Sequence, residues 1–345
     1  MEKHIHGGDV YHHQGCIDFS ANCNPLGTPE GIKKAIIESL EHINDYPQVG
    51  CTPLKKAIAE YENTKPAEVI FSLCRAVNPR RSLVPAPTFA EYQQALYSVD
   101  CQVEFFLLNG KKRFVLEEDF LQALTKEIDI IFLCNPNNPT GLLVEKPLLE
   151  KILKRCQELD ILMAVDECFL DFVPSPEKYT LKEYLETYDN LFLLKAFTKR
   201  YAMAGVRLGY GLCGNKGLLE KIEGVCQPWN VSSMAQSAGL AALQEREYVE
   251  KGRQVTFQEL AYLKEELAAL GYPVYPSQAN YVFFTGPADL YEKLEQKKIL
   301  IRDCSNYTGL SKGYYRVAVK KHEENQQLVR ALKEIDRTKV ENVIL

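Results

Sequence analysis

The sequence predicts an α/β protein: a large domain whose mostly parallel sheet is sandwiched by helices, followed by a smaller α+β domain. Three observations carry this prediction. Apolar runs of strand length recur without polar alternation, as strands buried on both faces require. Helical patterns lie between several of them, which is the connection parallel strands need. Beyond Trp229 the alternation gives way to long helices and a few short strands. At 345 residues the chain is long enough for one large and one small domain. The boundaries expected are 30–235 for the large domain, with 1–29 and 236–345 forming an N-terminal arm and the small domain.

The strand candidates of the large domain are Ser82–Pro85, Gln102–Leu107, Asp129–Leu133, Ile161–Val165, Asn190–Leu194 and Arg207–Cys213. Helices are expected at Glu30–Leu40, from Thr52 onward, and at Phe89–Ser98, Glu117–Lys126 and Lys146–Glu158, each with apolar residues at helical spacing. Past Trp229 the helical stretches are Ser233–Glu245, Glu247–Leu270, Ala288–Lys297 and Glu323–Ile335, with strands at Tyr281–Phe284, Leu300–Arg302 and Tyr315–Val319. Asp18–Gly27, rich in Asn, Pro and Gly, reads as a loop.

Hydrophobic content of 46% and charged content of 25% are those of a globular protein, and a net charge of −5 gives no reason to expect nucleic acid or an anionic membrane as partner. No apolar run approaches membrane-spanning length, and Met1–Asp9 has no signal-peptide core, so a cytoplasmic location is expected. The 11 scattered cysteines include no C-x-x-C and read as reduced thiols. The His and Cys residues between His4 and Cys23 have no ligand spacing, and no metal is expected.

Ligands of parallel sheets sit at the carboxyl ends of the strands, and the polar motifs fall there. Leu194–Tyr210 holds Lys195 and Lys199, with Thr198 beside the second lysine and Arg207 eight positions past it. A lysine whose pKa is lowered by burial and neighbouring cations forms an imine with a carbonyl. Thr198 and Arg207 are donors suited to a phosphate. Alone, the stretch reads first as a surface charge cluster. Asn135-Pro-Asn-Asn-Pro-Thr-Gly141 is a rigid turn presenting an amide; a plain tight turn would not require its three asparagines. Asp166 closes a buried strand, where a carboxylate needs a protonated ring nitrogen or an arginine as partner. Gly209-Tyr-Gly-Leu-Cys-Gly214 matches G-x-G-x-x-G but lies within or just after a strand with no following acidic residue, so it reads as close packing and not as a dinucleotide site.

In order and spacing these motifs resemble the fold-type I pyridoxal-phosphate enzymes of the class I and II aminotransferase family, over nearly the whole chain. The resemblance implies an aspartate-aminotransferase-like fold, pyridoxal 5'-phosphate as cofactor and a homodimer with a shared active site. It implies that Lys199 is the covalent anchor of the cofactor, that Asp166 pairs with the pyridine nitrogen and that Asn138 bonds the ring hydroxyl. Thr198 and Arg207 match the residues that hold the cofactor phosphate. Phe89 matches the aromatic that stacks on the ring, and Tyr46 a tyrosine that reaches the phosphate from the partner subunit.

Within the family, His6-Gly-Gly-Asp9, Asp18-Phe-Ser-Ala-Asn22, Asn24-Pro-Leu-Gly27, Pro85–Tyr92, Arg302-Asp-Cys-Ser-Asn306 and Tyr315–Val319 look like the threonine-phosphate decarboxylases of cobalamin synthesis. Histidinol-phosphate aminotransferases are near relatives, usually with Tyr where Phe169 stands. A phosphorylated amino acid carries two anionic groups. The resemblance implies Arg316 for its carboxylate, and Arg302, His6 and groups near Asn22 as candidates for its phosphate. Two departures stand out. Ala196 occupies a place where relatives often put a phosphate-binding Ser. Relatives also carry a G-N-G-A-like loop between a strand and a helix, and here a strand like Val69–Ile70 runs into a helix like Phe71–Ala76 with no glycine. Matching flanks favour residues missing from the written sequence over a true deletion. The loop also motivates a reading of another class, a catalytically inactive member with a binding or regulatory role.

Overall fold

The computed structural model describes residues 7–64, 66–67 and 70–344, with side chains described through Asp336 except at 66–67. In chain order, the first half contains β1 (Ile17–Asp18), α1 (Glu30–Ser39), α2 (Thr52–Glu62), β2 (Pro66–Ala67), α3 (Ile70–Val77), β3 (Arg81–Ala86), α4 (Glu91–Tyr97), β4 (Gln102–Leu107), α5 (Phe120–Ala123), β5 (Ile130–Cys134), α6 (Lys146–Glu158) and β6 (Leu162–Asp166). The second half contains β7 (Leu191–Ala196), α7 (Phe197–Arg200), β8 (Gly209–Cys213), α8 (Lys216–Val225), α9 (Ser233–Ala242), α10 (Arg246–Ala269), β9 (Tyr281–Thr285), α11 (Leu290–Gln296), β10 (Ile299–Leu300), β11 (Arg302–Asp303), β12 (Tyr314–Ala318) and α12 (His322–Ile344).

The principal sheet has seven strands in the order β2-β8-β7-β6-β5-β3-β4. All neighbours run parallel except β8, which is antiparallel to both β7 and β2. The two-residue period of a strand divides its apolar run between two cores. From β5, Ile131 and Leu133 pack with Leu149, Ile152 and Leu153 of α6. Ile130 and Phe132 pack on the other face with Leu73 of α3, Tyr92 and Leu96 of α4 and Ile222 of α8. Both faces are covered, and the sequence therefore shows no polar alternation here.

The second sheet, β11-β12-β9, is antiparallel throughout. Its Val282, Phe284 and Val317 pack against Leu263 and Leu267 of α10 and Leu328 and Leu332 of α12. β1 pairs in parallel with β10, and Phe19 is fully buried in this same core, so the N-terminal arm is tied to the C-terminal helices and strands.

Four sequence expectations need correction. Of the strand expected at Val69–Ile70, Ile70 is helical and Val69 lies outside the described residues. Ile70 opens α3, because Ile70, Leu73, Cys74 and Val77 have helical spacing and Leu73 and Cys74 are buried; the strand is Pro66–Ala67. Only Glu68 and Val69, outside the described residues, separate β2 from α3. The strand expected at Leu300–Arg302 is two, with β10 pairing to β1 and β11 to β12. Arg207 stands outside β8 in a left-handed turn at φ 59°. α8 was missed because Gly217 and Gly224 obscure its pattern; Asn215 caps it by accepting the Leu218 N–H at 3.0 Å. The reading of Gly209–Gly214 as close packing agrees with the structure. A Cβ on Gly211 would come within 2.2 Å of the Phe192 ring.

Candidate functional site

Three adjacent strands, β5, β6 and β7, end on the same side, and each delivers one motif. The Asn-rich turn follows β5, Asp166 is the last residue of β6, and Lys199 lies in α7 directly after β7.

The three asparagines of the turn divide their tasks. Asn135 Oδ1 accepts the Val144 N–H at 2.8 Å. Asn137 Oδ1 accepts from Thr88 Oγ1 at 2.7 Å, while its Nδ2 donates to the Pro87 carbonyl and Thr140 Oγ1, each at 3.0 Å. These two hold the turn. Asn138, buried, turns its amide inward, where Oδ1 accepts from the Arg316 guanidinium and from Tyr307 Oη at 3.4 Å. Gly141 is required: its φ is +72°, and a Cβ there would lie 1.8 Å from Ser277 Oγ.

Asp166 is buried. Its Oδ2 accepts from Tyr92 Oη at 2.5 Å and its Oδ1 from the Cys168 N–H at 2.9 Å. Burial pushes this carboxyl up from its ordinary range, and the donors at Cys168 and Tyr92 pull it back. Phe89 stands edge-on to Tyr92, with ring centroids 5.6 Å apart.

The structure separates the two lysines. Lys195 Nζ is 2.9 Å from Glu167 Oε2, both side chains are buried, and Glu167 also accepts from Thr180 Oγ1 and the Leu181 N–H. This is a fully satisfied internal ion pair. Lys199 has no carboxylate partner among the described residues. Burial lowers its pKa; the Arg316 and Arg207 charges lower it further, against Cys23 and Cys168, which raise it. A folded pKa below that of a free lysine means that the neutral amine is populated at lower pH than on exposed lysines. In the cofactor-free protein, Lys199 is therefore expected to be acetylated by a limiting dose of acetic anhydride at a pH where surface lysines are still protected. Mass-spectrometric mapping across pH 6–10 checks this, and equal labelling at every pH would contradict it.

Arg207 is exposed, with Nη1 3.1 Å from the Ala204 carbonyl, and it holds a left-handed backbone that costs a non-glycine residue about 1 kcal/mol. Thr198 Oγ1 lies 3.5 Å from the Leu208 carbonyl, a marginal contact that leaves its hydroxyl available. Across from them come Arg302 and Arg316, which stand directly opposite each other in the β11–β12 register and are each 5% exposed. Arg316 Nη2 donates to the Ser20 carbonyl at 2.7 Å, and its Nε is buried without a partner. Arg302 Nη2 donates to Asn306 Oδ1 at 2.9 Å, and its guanidinium lies over the Tyr307 ring. Asn22 is buried with an unpartnered Nδ2.

Of the remaining expected site residues, Tyr46 lies apart from this group. Tyr46 is 81% exposed and contacts only the Trp229 ring among the aromatic pairs described. His6 lies outside the described residues. Sequence reasoning missed Tyr92, Tyr307 and Ser20. Tyr92 had a usable signal, its i+3 spacing from Phe89 at the start of a helix. Tyr307 and Ser20 carry none, because they reach the site only through the folding of the small sheet and arm.

The donor set suits pyridoxal phosphate at its ring end. Among the described residues it offers an amine paired with no carboxylate, a buried carboxylate for a protonated ring nitrogen, an amide for the ring hydroxyl and an aromatic face. The phosphate end is sparser: Thr198 and Arg207 remain, Ala196 has no hydroxyl, and the chain holds no glycine between Gly50 and Gly110.

The chain matches the family model "Aminotransferase class I and II" over residues 14–332. It is 36% identical to the threonine-phosphate decarboxylase of Salmonella typhimurium, covering 92% of this chain and 91% of that protein. It is 30% identical to a histidinol-phosphate aminotransferase of Caldicellulosiruptor saccharolyticus, covering 92% and 91%. Among solved structures it is similar to the histidinol-phosphate aminotransferase of Clostridium acetobutylicum, with TM-score 0.85, 28% identity and coverage of 93% and 99%.

Proposed function

Because this chain belongs to the class I and II aminotransferase family, whose members work with pyridoxal phosphate, we propose that it decarboxylates L-threonine O-3-phosphate to (R)-1-amino-2-propanol O-2-phosphate, a step of cobalamin synthesis. The observation that carries the reading is the pair Arg302 and Arg316. Like charges directly opposite across a sheet repel, and burying two guanidiniums with no carboxylate paired to either among the described residues is costly. A substrate with two anionic groups relieves both costs. The 36% identity to a threonine-phosphate decarboxylase supports the same choice.

Pyridoxal phosphate, bound here, supplies an electron sink for the bond broken at the substrate Cα. The chain's residues do the rest. Lys199 holds the cofactor covalently and, once released, carries a proton to the substrate Cα from which carbon dioxide has left. Asp166 keeps the ring nitrogen protonated, Asn138 orients the ring hydroxyl and Phe89 covers one face. Thr198 and Arg207 bind the cofactor phosphate. Arg316 binds the substrate carboxylate and sets its angle to the ring, while Arg302, Asn22 and His6 take the substrate phosphate. Tyr46 reaches the site of a second copy, and the exposed Tyr46, Val49, Ile43 and Trp229 provide apolar surface for that homodimer. A cytoplasmic location belongs to the same proposal.

The test is carbon dioxide release from threonine phosphate by the pyridoxal-phosphate-loaded protein without added 2-oxoglutarate. Turnover of histidinol phosphate with 2-oxoglutarate, and none of threonine phosphate, would establish the aminotransferase reading instead; it draws on the 30% identity to such enzymes. Serine phosphate is expected as a weaker substrate, since one methyl is worth about 1–3 kcal/mol.

A further inference from the structure

We infer that Tyr92 is a positioning residue, whose phenol O–H, donated to Asp166 inside the sheet, keeps that carboxylate ionised and aimed at the cofactor ring nitrogen. The inference rests on the cofactor and is independent of which phosphorylated substrate is used.

Asp166 is buried at the end of β6, and no cation pairs with it among the described residues. What faces it is neutral or negative. Cys134 comes from β5, Glu167 and Cys168 follow it in the chain, Tyr281 comes from β9 and Tyr92 from α4. Hydrogen bonds from Cys168, by its thiol and its main chain, and from Tyr92 at 2.5 Å therefore carry the stabilisation of a buried charge. The backbone donor is present whatever the side chains are. Of the two side-chain donors, a thiol is the weaker, and the phenol is the one brought in from another element, α4.

Tyr92 is itself fixed. It is fully buried in the first turn of α4, stacked on Phe132 with centroids 5.0 Å apart and 8° between planes. Its edge contact with Phe89 links the carboxylate partner to the residue proposed to cover the ring. A phenylalanine would fill the same space and make the same ring contacts. The hydroxyl is then a polar atom in an apolar core whose role is its hydrogen bond. Burial and the neighbouring Asp166 push the phenol pKa well up, so it stays a donor throughout the working pH range.

Removing the O–H makes Asp166 easier to protonate and weakens its hold on the ring-nitrogen proton. That positive charge repels the proton on the nitrogen linking cofactor to Lys199, so weakening it lets the linkage keep its proton to higher pH. The readout is the pH titration of the visible absorption of the cofactor-loaded protein. In Tyr92→Phe its midpoint is expected to rise by about one pH unit, with kcat down at least about tenfold and KM little changed. A 3-fluorotyrosine at position 92, a stronger donor, is expected to move the midpoint the other way. Melting of the cofactor-free variants guards against a folding defect. An unmoved midpoint in Tyr92→Phe, or shifts of the same sign in both variants, would make Tyr92 a packing residue and overturn the inference. The absorption titration reads out even if threonine phosphate is not the substrate, so failure of the substrate proposal remains distinguishable.

Discussion

Lys199→Ala is expected to abolish covalent capture of pyridoxal phosphate and to lower carbon dioxide release from threonine phosphate by about 10⁴-fold or more. Both roles proposed for this residue, anchor and proton carrier, need the amine. The reason to choose Lys199 over Lys195 is electrostatic. Lys195 is locked to Glu167 at 2.9 Å, and burial opposed by that carboxylate leaves its ammonium firmly charged. Lys199 has burial and two arginines acting against its proton. The paired variant Lys195→Ala is therefore expected to fail differently. It leaves Glu167 buried and uncompensated, at a cost of roughly 3–5 kcal/mol of stability, and whatever folded protein remains should still take up the cofactor. Absorbance after adding pyridoxal phosphate, sodium borohydride trapping and thermal melting separate the two outcomes. Retained turnover in Lys199→Ala would sink the cofactor assignment.

Arg316→Met is expected to lower kcat/KM for threonine phosphate by about 10²–10³-fold, in line with the roughly 2–5 kcal/mol lost when one partner of a buried charged pair is removed. Arg302→Met is expected to act mainly through KM, because the phosphate it is proposed to bind lies away from the bond that breaks. The same changes should raise the melting temperature of the ligand-free protein. Each removes a buried guanidinium that stands opposite its like and has no carboxylate to pair with among the described residues. Opposite signs for stability and activity mark an anion-binding pair, whereas arginines that merely braced the sheet would lose both together. Inorganic phosphate should raise the melting temperature of the wild type and do less in Arg302→Met. If Arg302→Met and Arg316→Met both lower stability and leave kcat/KM unchanged, the pair is structural and the substrate reading loses its support.

The connection between β2 and α3 bears on both results. In the sequence as written there is no glycine between Gly50 and Gly110 and Ala196 ends β7, so we expect fewer groups for the cofactor phosphate than the resemblance implies. Retention of the cofactor then leans more on Lys199 and the ring end.

The sequence by itself determined the α/β class, the strands of the main sheet and the motif ends that face its ligand side. Strands buried on both faces must be apolar throughout, and polar residues at their carboxyl ends stand out against that background. It also carried the resemblance to the family, and the cofactor that the resemblance implies, because Asn138, Asp166, Lys199 and Arg207 stand in the family's order and spacing. Tertiary structure decided what spacing cannot encode. It joined Asn138 to Arg316, 178 residues apart, and set Tyr92 on Asp166, 74 residues away. It moved Ile70 from strand to helix, since a short apolar run fits either until its buried face is known. It also told two lysines four residues apart from each other. Propensity treats them alike, but among the described residues only one meets a buried carboxylate, and that contact comes from Glu167, directly after the neighbouring strand β6, and not from the chain next to it.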